Sequence, residues 1–241
     1  MAATMPAQPM KTFILNLLRQ SHRDEEAFLQ QLSEDERTAI GDWKRWSAKD
    51  HVAHTTFWHR DLVMKLTAII QHQEQAPSDQ DEEHLNSNTF EQNKLRSWAD
   101  IHAEAEQVYA ELLKLTEQLS EEELTTPNRY SWISGDKPLY AAFLGGWYEH
   151  DQEHLVYYYL DRHDLDRAIA LRERCANRVI QVQVPEWVKG SFLYNLACFY
   201  AQQNLLEKAS ALLQEAVTLA PRLQARAKND PDLKALREQS A

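Results

Sequence analysis

An all-α chain, a four-helix bundle followed by a helical hairpin, is predicted by three features of the 241-residue sequence. Glycine is scarce, at five positions, while Leu, Glu, Gln and Ala are abundant; such residues favour helix and lose little side-chain freedom there. Runs of β-branched residues are rare, and only Val179 to Val184, stopped by Pro185, reads as extended. Apolar residues recur at three- and four-residue spacing through long segments, the pattern of helices that bury one face.

The first helix is expected from about Pro9 to Leu32, with Phe13, Leu17, Phe28 and Leu32 in helical register before the polar Ser33-Glu34-Asp35-Glu36. The second is expected to open at Ser47. There Ser47-Ala48-Lys49-Asp50 has the form of a capping box, with a hydroxyl to accept the Asp50 amide and a carboxylate near the positive end of the helix dipole. This helix carries Val52, Phe57, Leu62, Leu66 and Ile69, then fades into the polar stretch Gln71 to Asn88, which contains Pro77 and reads as a long loop. Asn88-Thr89 is expected to open the third helix, through Leu95, Trp98, Val108, Leu112 and Leu115 to about Leu119. Pro127 and Gly135 bracket another loop, and the fourth helix takes Pro138 in its first turn and runs to about Leu160.

After Asp161 the character changes, so a bundle over residues 1–163 and a helical segment over 164–241 are expected. Shorter helices are predicted at Leu165 to Val179, Ser191 to Gln203 and Leu205 to Ala220. Leu196, Ala197, Tyr200, Asn204, Ala209, Leu213, Ala216 and Pro221 stand at the offsets of a tetratricopeptide repeat, so residues 190–221 resemble one tetratricopeptide-like hairpin. A single unit cannot bury both faces, which implies docking on the bundle, on a protein partner or on a second copy as a homodimer.

Charge and composition exclude several functions. Twenty-six Lys and Arg against 37 Asp and Glu leave a formal charge of −11, a poor match to nucleic acid or to an anionic membrane. Glycines at 41, 135, 145, 146 and 190 fit neither a G-x-G-x-x-G nor a P-loop spacing. Mean hydropathy is −0.62 and no apolar run approaches the length of a membrane span. The first residues lack the charged and apolar regions of a secretory signal, so a cytoplasmic protein is expected. Cys175 and Cys198 have no C-x-x-C spacing and read as core thiols.

Ten histidines stand out. His150 and His154, four apart in the fourth helix, share a face with Cβ atoms about 6 Å apart, close enough to grip one cation. His54 lies among Val52, Ala53 and Trp58 and reads as pointing into the bundle, where each ring nitrogen needs a partner, a metal or a carboxylate. His51, one turn earlier, competes with it for the inward position. His22, His59, His72, His84, His102 and His163 have no partner at useful spacing and read as surface residues.

Trp46-Ser47-Ala48-Lys49-Asp50-His51-Val52-Ala53-His54, together with Gly146-Trp147-Tyr148-Glu149-His150-Asp151-Gln152-Glu153-His154, resembles the DinB/YfiT-like superfamily of four-helix-bundle proteins over about residues 9 to 162. The resemblance implies a DinB-like bundle with a divalent metal, zinc or nickel, held by His54, His150 and His154. That superfamily includes thiol-dependent S-transferases, isomerases and many members of unknown activity. It therefore implies a metal-dependent enzyme, a hydrolase or a thiol S-transferase acting on a small molecule with a low-molecular-weight thiol as cosubstrate. The tryptophan-rich K-D-x-x-x-H start is also similar to the ClbS/DfsB-like branch, whose members protect against a genotoxin and need not use metal. That likeness implies the alternative, a non-catalytic small-molecule-binding or protective protein, or a tetratricopeptide-type interaction module.

Three imidazoles leave open positions on a metal for water or a thiol. Asp50, one turn before His54, and Glu153, beside His154, are the candidate catalytic carboxylates; a helix cap and a solvated face are their plainer roles. Trp58, Trp147 and Tyr158 share helical faces with the histidines and are candidates to wall a pocket for an apolar or aromatic substrate, with ordinary core packing as the alternative. Gly145-Gly146, just before the ligand pair, reads either as a close backbone approach or pocket space, or as a loop ahead of a later helix start.

Overall fold

The computed structural model of the chain describes residues 8–73, 81–133 and 135–239. Their regular structure is helical, and β-type pairing among them is confined to an isolated bridge between Asp42 and Arg45. No helix among the described residues is long and apolar enough to cross a membrane. The chain packs as two compact units, Met1–Ala168 and Ile169–Ala241.

The first unit contains α1 (Met10–Gln31), the short α2 (Glu34–Thr38), α3 (Ala48–Ile70), α4 (Glu82–Asn93), α5 (Trp98–Gln118), the short α6 (Glu121–Thr125), α7 (Leu139–Ala142), a π-helical stretch over Phe143–Glu149, and α8 (His150–Leu160). Both α1 and α3 pack against α5 and against α8, so the four long elements close a ring in the order α1, α5, α3, α8. Phe13, Ile14, Leu17 and Phe28 of α1 fill its centre with Leu62 and Leu66 of α3, Ile101 and Leu112 of α5, and Leu155 and Val156 of α8. Each such side chain contributes about 1.5–3 kcal/mol of burial, which outweighs the weak helix propensity of the β-branched members.

Several of the expected boundaries are corrected. The supposed loop before Asn88 contains α4, which starts at Asp81, whose side chain accepts the Glu83 amide. Only Thr89 and Phe90 of this helix are buried, so no apolar stripe marks it. The part of that loop with Pro77 lies outside the described residues. The third bundle helix accordingly begins at Ser97, which caps α5 by accepting the Asp100 amide. The fourth is not a continuous α-helix: it widens into π geometry over Phe143–Glu149, where Gly145 and Gly146 face solvent. A Cβ added at either glycine would meet nothing within 4 Å, so a close backbone approach is not their reason. They lower the local cost of leaving α geometry, and the wider turn resets the phase of the helix that follows.

In the second unit, α9 (Leu165–Ile180) crosses the boundary and is followed by α10 (Glu186–Gln202), α11 (Leu206–Leu219), α12 (Leu223–Ala227), a 3₁₀ turn over Pro231–Leu233 and α13 (Lys234–Gln239). Val179 and Ile180 end α9, and residues 181–185 are irregular, not a strand; α10 starts five residues before the expected Ser191. A tight hairpin joins α10 to α11, with Asn204 in the left-handed conformation at the turn. Gly190 allows the close approach: a Cβ there would lie 2.8 Å from Ala220 Cβ and 2.9 Å from the Ala216 carbonyl oxygen. Asp230 pins the chain end to this hairpin, accepting from Tyr194 Oη at 2.8 Å and Arg226 Nε at 3.0 Å. Cys175 and Cys198 are buried and not joined in a disulfide, in keeping with their reading as core thiols.

Candidate metal centre

The head of α3 is held from three directions. Asp50 Oδ2 accepts the Ser47 amide at 2.8 Å, the Ser47 hydroxyl at 2.6 Å and the Gly41 amide at 3.1 Å, while Ser47 Oγ accepts the Asp50 amide at 3.2 Å. Buried Lys49 donates through Nζ to the carbonyls of Lys94 and Arg96, at 3.0 and 3.1 Å, just past the end of α4. The Lys-Asp pair of the motif is thus a clamp that sets the position and rotation of α3, and through it where His51 and His54 point. Gly41 leaves no room for a side chain, since a Cβ there would be 2.1 Å from Asp50 Oδ2. Gly41→Ala is therefore expected to push the carboxylate out of its cap and destabilise the first unit by about 2 kcal/mol in urea unfolding; an unchanged midpoint would contradict this account of the clamp.

From that clamp His54 meets the last bundle helix. His54 Nε2 lies 3.2 Å from His150 Nε2, and His154 Nε2 lies 3.1 Å from the same atom. The three side chains form a group whose ligand atoms all fall within 4.8 Å of one another. An ion about 2.1 Å from each nitrogen needs separations of about 3.0 Å for right-angled and about 3.4 Å for tetrahedral bonds; the two short edges fall between. Burial, followed by the neighbouring charges of His150 and His51, lowers His54 to about 3. Burial likewise lowers His150, and burial with the surrounding imidazoles holds His154 well below its ordinary value. All three rings are neutral at pH 7, the form that binds a metal. Neutral imidazoles without carboxylates suit zinc, nickel or copper and do not suit magnesium or calcium.

Around this group lies a layer of rings. Trp46 is stacked on His154 with centroids 5.8 Å apart and approaches His54 at 5.0 Å and His51 at 5.3 Å. Behind it come Phe90, stacked at 6.0 Å, and Trp43 at 5.9 Å. Trp43 and Tyr157, each 48% exposed, carry the aromatic surface out to solvent. Of the aromatic residues proposed from sequence, Trp58 meets His54 edge-on at 6.4 Å and Tyr158 meets His51 at 6.3 Å, whereas Trp147 is buried and donates through Nε1 to the Trp58 carbonyl. Trp46 belongs to the motif, yet helical spacing does not reveal it as a wall because it precedes the helix.

His51 is buried and pairs with His154 instead of joining the three-imidazole group: its Nδ1 is 2.9 Å from His154 Nδ1. Burial, then the Arg162 charge, lowers it to about 3. Asp50, a candidate base, has its Oδ2 engaged by the cap, and Glu153 stands half-buried beside His154.

A second polar group lies between α1, α3 and α8. His59 Nε2 is 2.8 Å from Asp151 Oδ1, Ser21 donates to Asp151 Oδ2 at 3.2 Å, and Gln152 donates to Ser21 at 3.1 Å. Expected as a surface residue, His59 is half-buried; burial works against its charge, but the Asp151 carboxylate outweighs that and raises its pKa. His22 is also not a plain surface residue, since it stacks on Tyr109 at 3.8 Å. Glu25, His59, Asp151, Thr55 and Thr56 line a cavity of about 20 Å³, room for about one water. Burial, reinforced by Asp151, pushes Glu25 up to about 8. The folded chain therefore holds a proton on Glu25 that the unfolded chain has released, and stability falls as pH rises from about 4.5 to about 8. Glu25→Gln is expected to raise stability at pH 8.5 by about 1–2 kcal/mol, discounted for partial exposure, with little change at pH 4.5. Urea unfolding at the two pH values checks it, and an equal effect at both would count against it.

A helical bundle in which three neutral imidazoles converge from two helices is of a class whose side chains could hold a metal ion. Within that class the chain belongs to the DinB superfamily, whose model matches residues 17–157 and so spans α3, α5 and most of α1 and α8. No curated protein and no solved structure matches the chain significantly.

Proposed function

We propose that this protein is a metal-dependent enzyme of the DinB superfamily that holds one zinc or nickel ion on His54, His150 and His154 and acts on a small molecule as a hydrolase or thiol-dependent S-transferase. The observation that carries this reading is the convergence of three neutral Nε2 atoms, those of buried His54 and His154 and half-buried His150, from the clamped α3 and from α8. A divalent ion there supplies Lewis acidity, lowering the pKa of water or of a thiol brought to its open side. His54, His150 and His154 present donors that need lose few protons at pH 7. Trp46 shields His154 from water on one face, and the exposed rings of Trp43 and Tyr157 favour an apolar or aromatic reactant near the opening.

Protein purified without chelator is expected to contain about one equivalent of zinc or nickel by mass spectrometry. It should also consume a low-molecular-weight thiol with an aryl halide, or hydrolyse an aryl ester, in a reaction abolished by chelation. Absence of any stoichiometric transition metal would overturn the reading. A non-catalytic protective role is the second reading, supported by the engagement of both Asp50 and Asp151 in hydrogen bonds near the histidines. Protein that loads metal and retains a small aromatic ligand, yet turns over neither reactant, would favour it.

A further inference from the structure

We propose that His51 is a positioning residue for the metal centre: it accepts a hydrogen bond from His154 Nδ1 and thereby fixes His154 in the tautomer whose Nε2 lone pair faces the ion. The proposal rests on the metal-binding reading above. Its basis is geometric. The two Nδ1 atoms are 2.9 Å apart across α3 and α8, and both side chains are buried. In a hydrogen bond between two neutral imidazole nitrogens one must donate and the other accept. His154 Nε2 lies in the triangle with His150, so a role as ligand there requires the proton on Nδ1, and His51 Nδ1 must then be the acceptor.

The contrast with the other two rings makes the pairing informative. The Nδ1 atoms of His54 and His150 are buried and have no hydrogen-bond partner among the described residues. His154 alone of the three has its outer nitrogen engaged by another side chain within that set. Outer partners of metal-bound histidines are usually carboxylates or carbonyl oxygens. A neutral imidazole in that role orients the ligand without adding negative charge, so the charge of a bound ion is left for the substrate. The acceptance has a cost: His51 must carry its own proton on Nε2, and that atom is buried without a hydrogen-bond partner among the described residues. Trp46 at 5.3 Å and Tyr158 at 6.3 Å keep the ring in place.

The test compares His51→Leu, which removes the acceptor, with His51→Asn, which keeps an acceptor atom near the position of Nδ1. Zinc affinity is read by competition with a chromogenic chelator, and the His154 tautomer by nitrogen NMR of the imidazole in zinc-loaded protein. His51→Leu should weaken zinc about 10–100-fold and shift His154 away from a single Nδ1–H form. His51→Asn should stay within about 3-fold of the parent and retain that form. Equal zinc affinity in all three proteins, or an unprotonated His154 Nδ1 in the loaded parent, would overturn the proposal while leaving the metal site standing. A parent that binds no zinc or nickel would instead remove the reading on which it rests. Should His51→Leu fail to fold, the NMR tautomer of the parent still decides.

Discussion

His150→Ala is expected to abolish stoichiometric metal binding while leaving the chelator-treated protein nearly as stable as the parent. The imidazole stands at the apex of the group, with the Nε2 atoms of His54 and His154 at 3.2 and 3.1 Å from its own. Structural zinc sites are worth about 10–16 kcal/mol in all, so one ligand of three or four accounts for about 3–5 kcal/mol, or roughly 10²–10⁴ in affinity. Parent protein at a free metal concentration about 1,000 times the dissociation constant gains about 4 kcal/mol of stability, of which the variant should lose about 3–4 kcal/mol. Without metal the balance differs. His150 is then a half-buried ring whose Nδ1 has no hydrogen-bond partner among the described residues, crowded by two other imidazoles, so its removal should cost about 1 kcal/mol or less. Two calorimetric melts of each protein, one with zinc and one with chelator, separate these terms. A variant that melts lower by the same amount in both would mean that His150 is a packing residue and not a ligand.

The three histidines of the group are readable from the sequence because their signals are local. An i, i+4 spacing places His150 and His154 on one face, and the Ser47 cap sets the register that turns His54 inward. The bundle helices are readable for the same reason, since an apolar stripe needs no knowledge of its partner. What is not readable depends on contacts between distant residues or on helix phase. The pairings of His51 with His154 and of His59 with Asp151 join residues 103 and 92 positions apart, for which no spacing rule exists. Both also follow from the rotation of α8, which the π turn at Phe143–Glu149 resets, and a periodicity assumed to be 3.6 residues throughout cannot anticipate that reset. Gly145-Gly146 was a visible sign of irregularity, but glycine alone does not distinguish a loop from a π turn. Helix α4 is not legible in the sequence because its stability comes from its cap and from two buried residues, not from a stripe.

Acid should unfold the metal-free protein well above the pH at which carboxylates protonate. His51 and His54 are each lowered from 6.5 to about 3, chiefly by burial, and His150 and His154 are lowered as well. The unfolded chain takes up protons on these residues below pH 6.5 and the folded chain does not, so their contribution is unaffected above pH 6.5 and is lost progressively as pH falls toward about 3. Each group can contribute up to about 1.4 kcal/mol per pH unit below its unfolded value, so His51 and His54 together remove about 3 kcal/mol between pH 6.5 and 5. That is a large part of the 5–15 kcal/mol typical of a domain. His59 and Glu25 act in the opposite sense: the raised His59 contributes stability below pH 6.5 that is lost as pH rises through its folded value, and the raised Glu25 favours the acid side of about 8. They offset the loss only in part, because the lowered imidazoles outnumber them. The urea midpoint of chelator-treated protein should therefore fall steeply between pH 6.5 and 5. Replacing His51 and His54 together by Gln should flatten that slope by removing two of the proton-binding groups from the unfolded state. If the parent were as stable at pH 5 as at pH 7, the four imidazoles would have to be hydrated in the folded chain, and the dry, neutral cluster on which the metal site depends would be wrong.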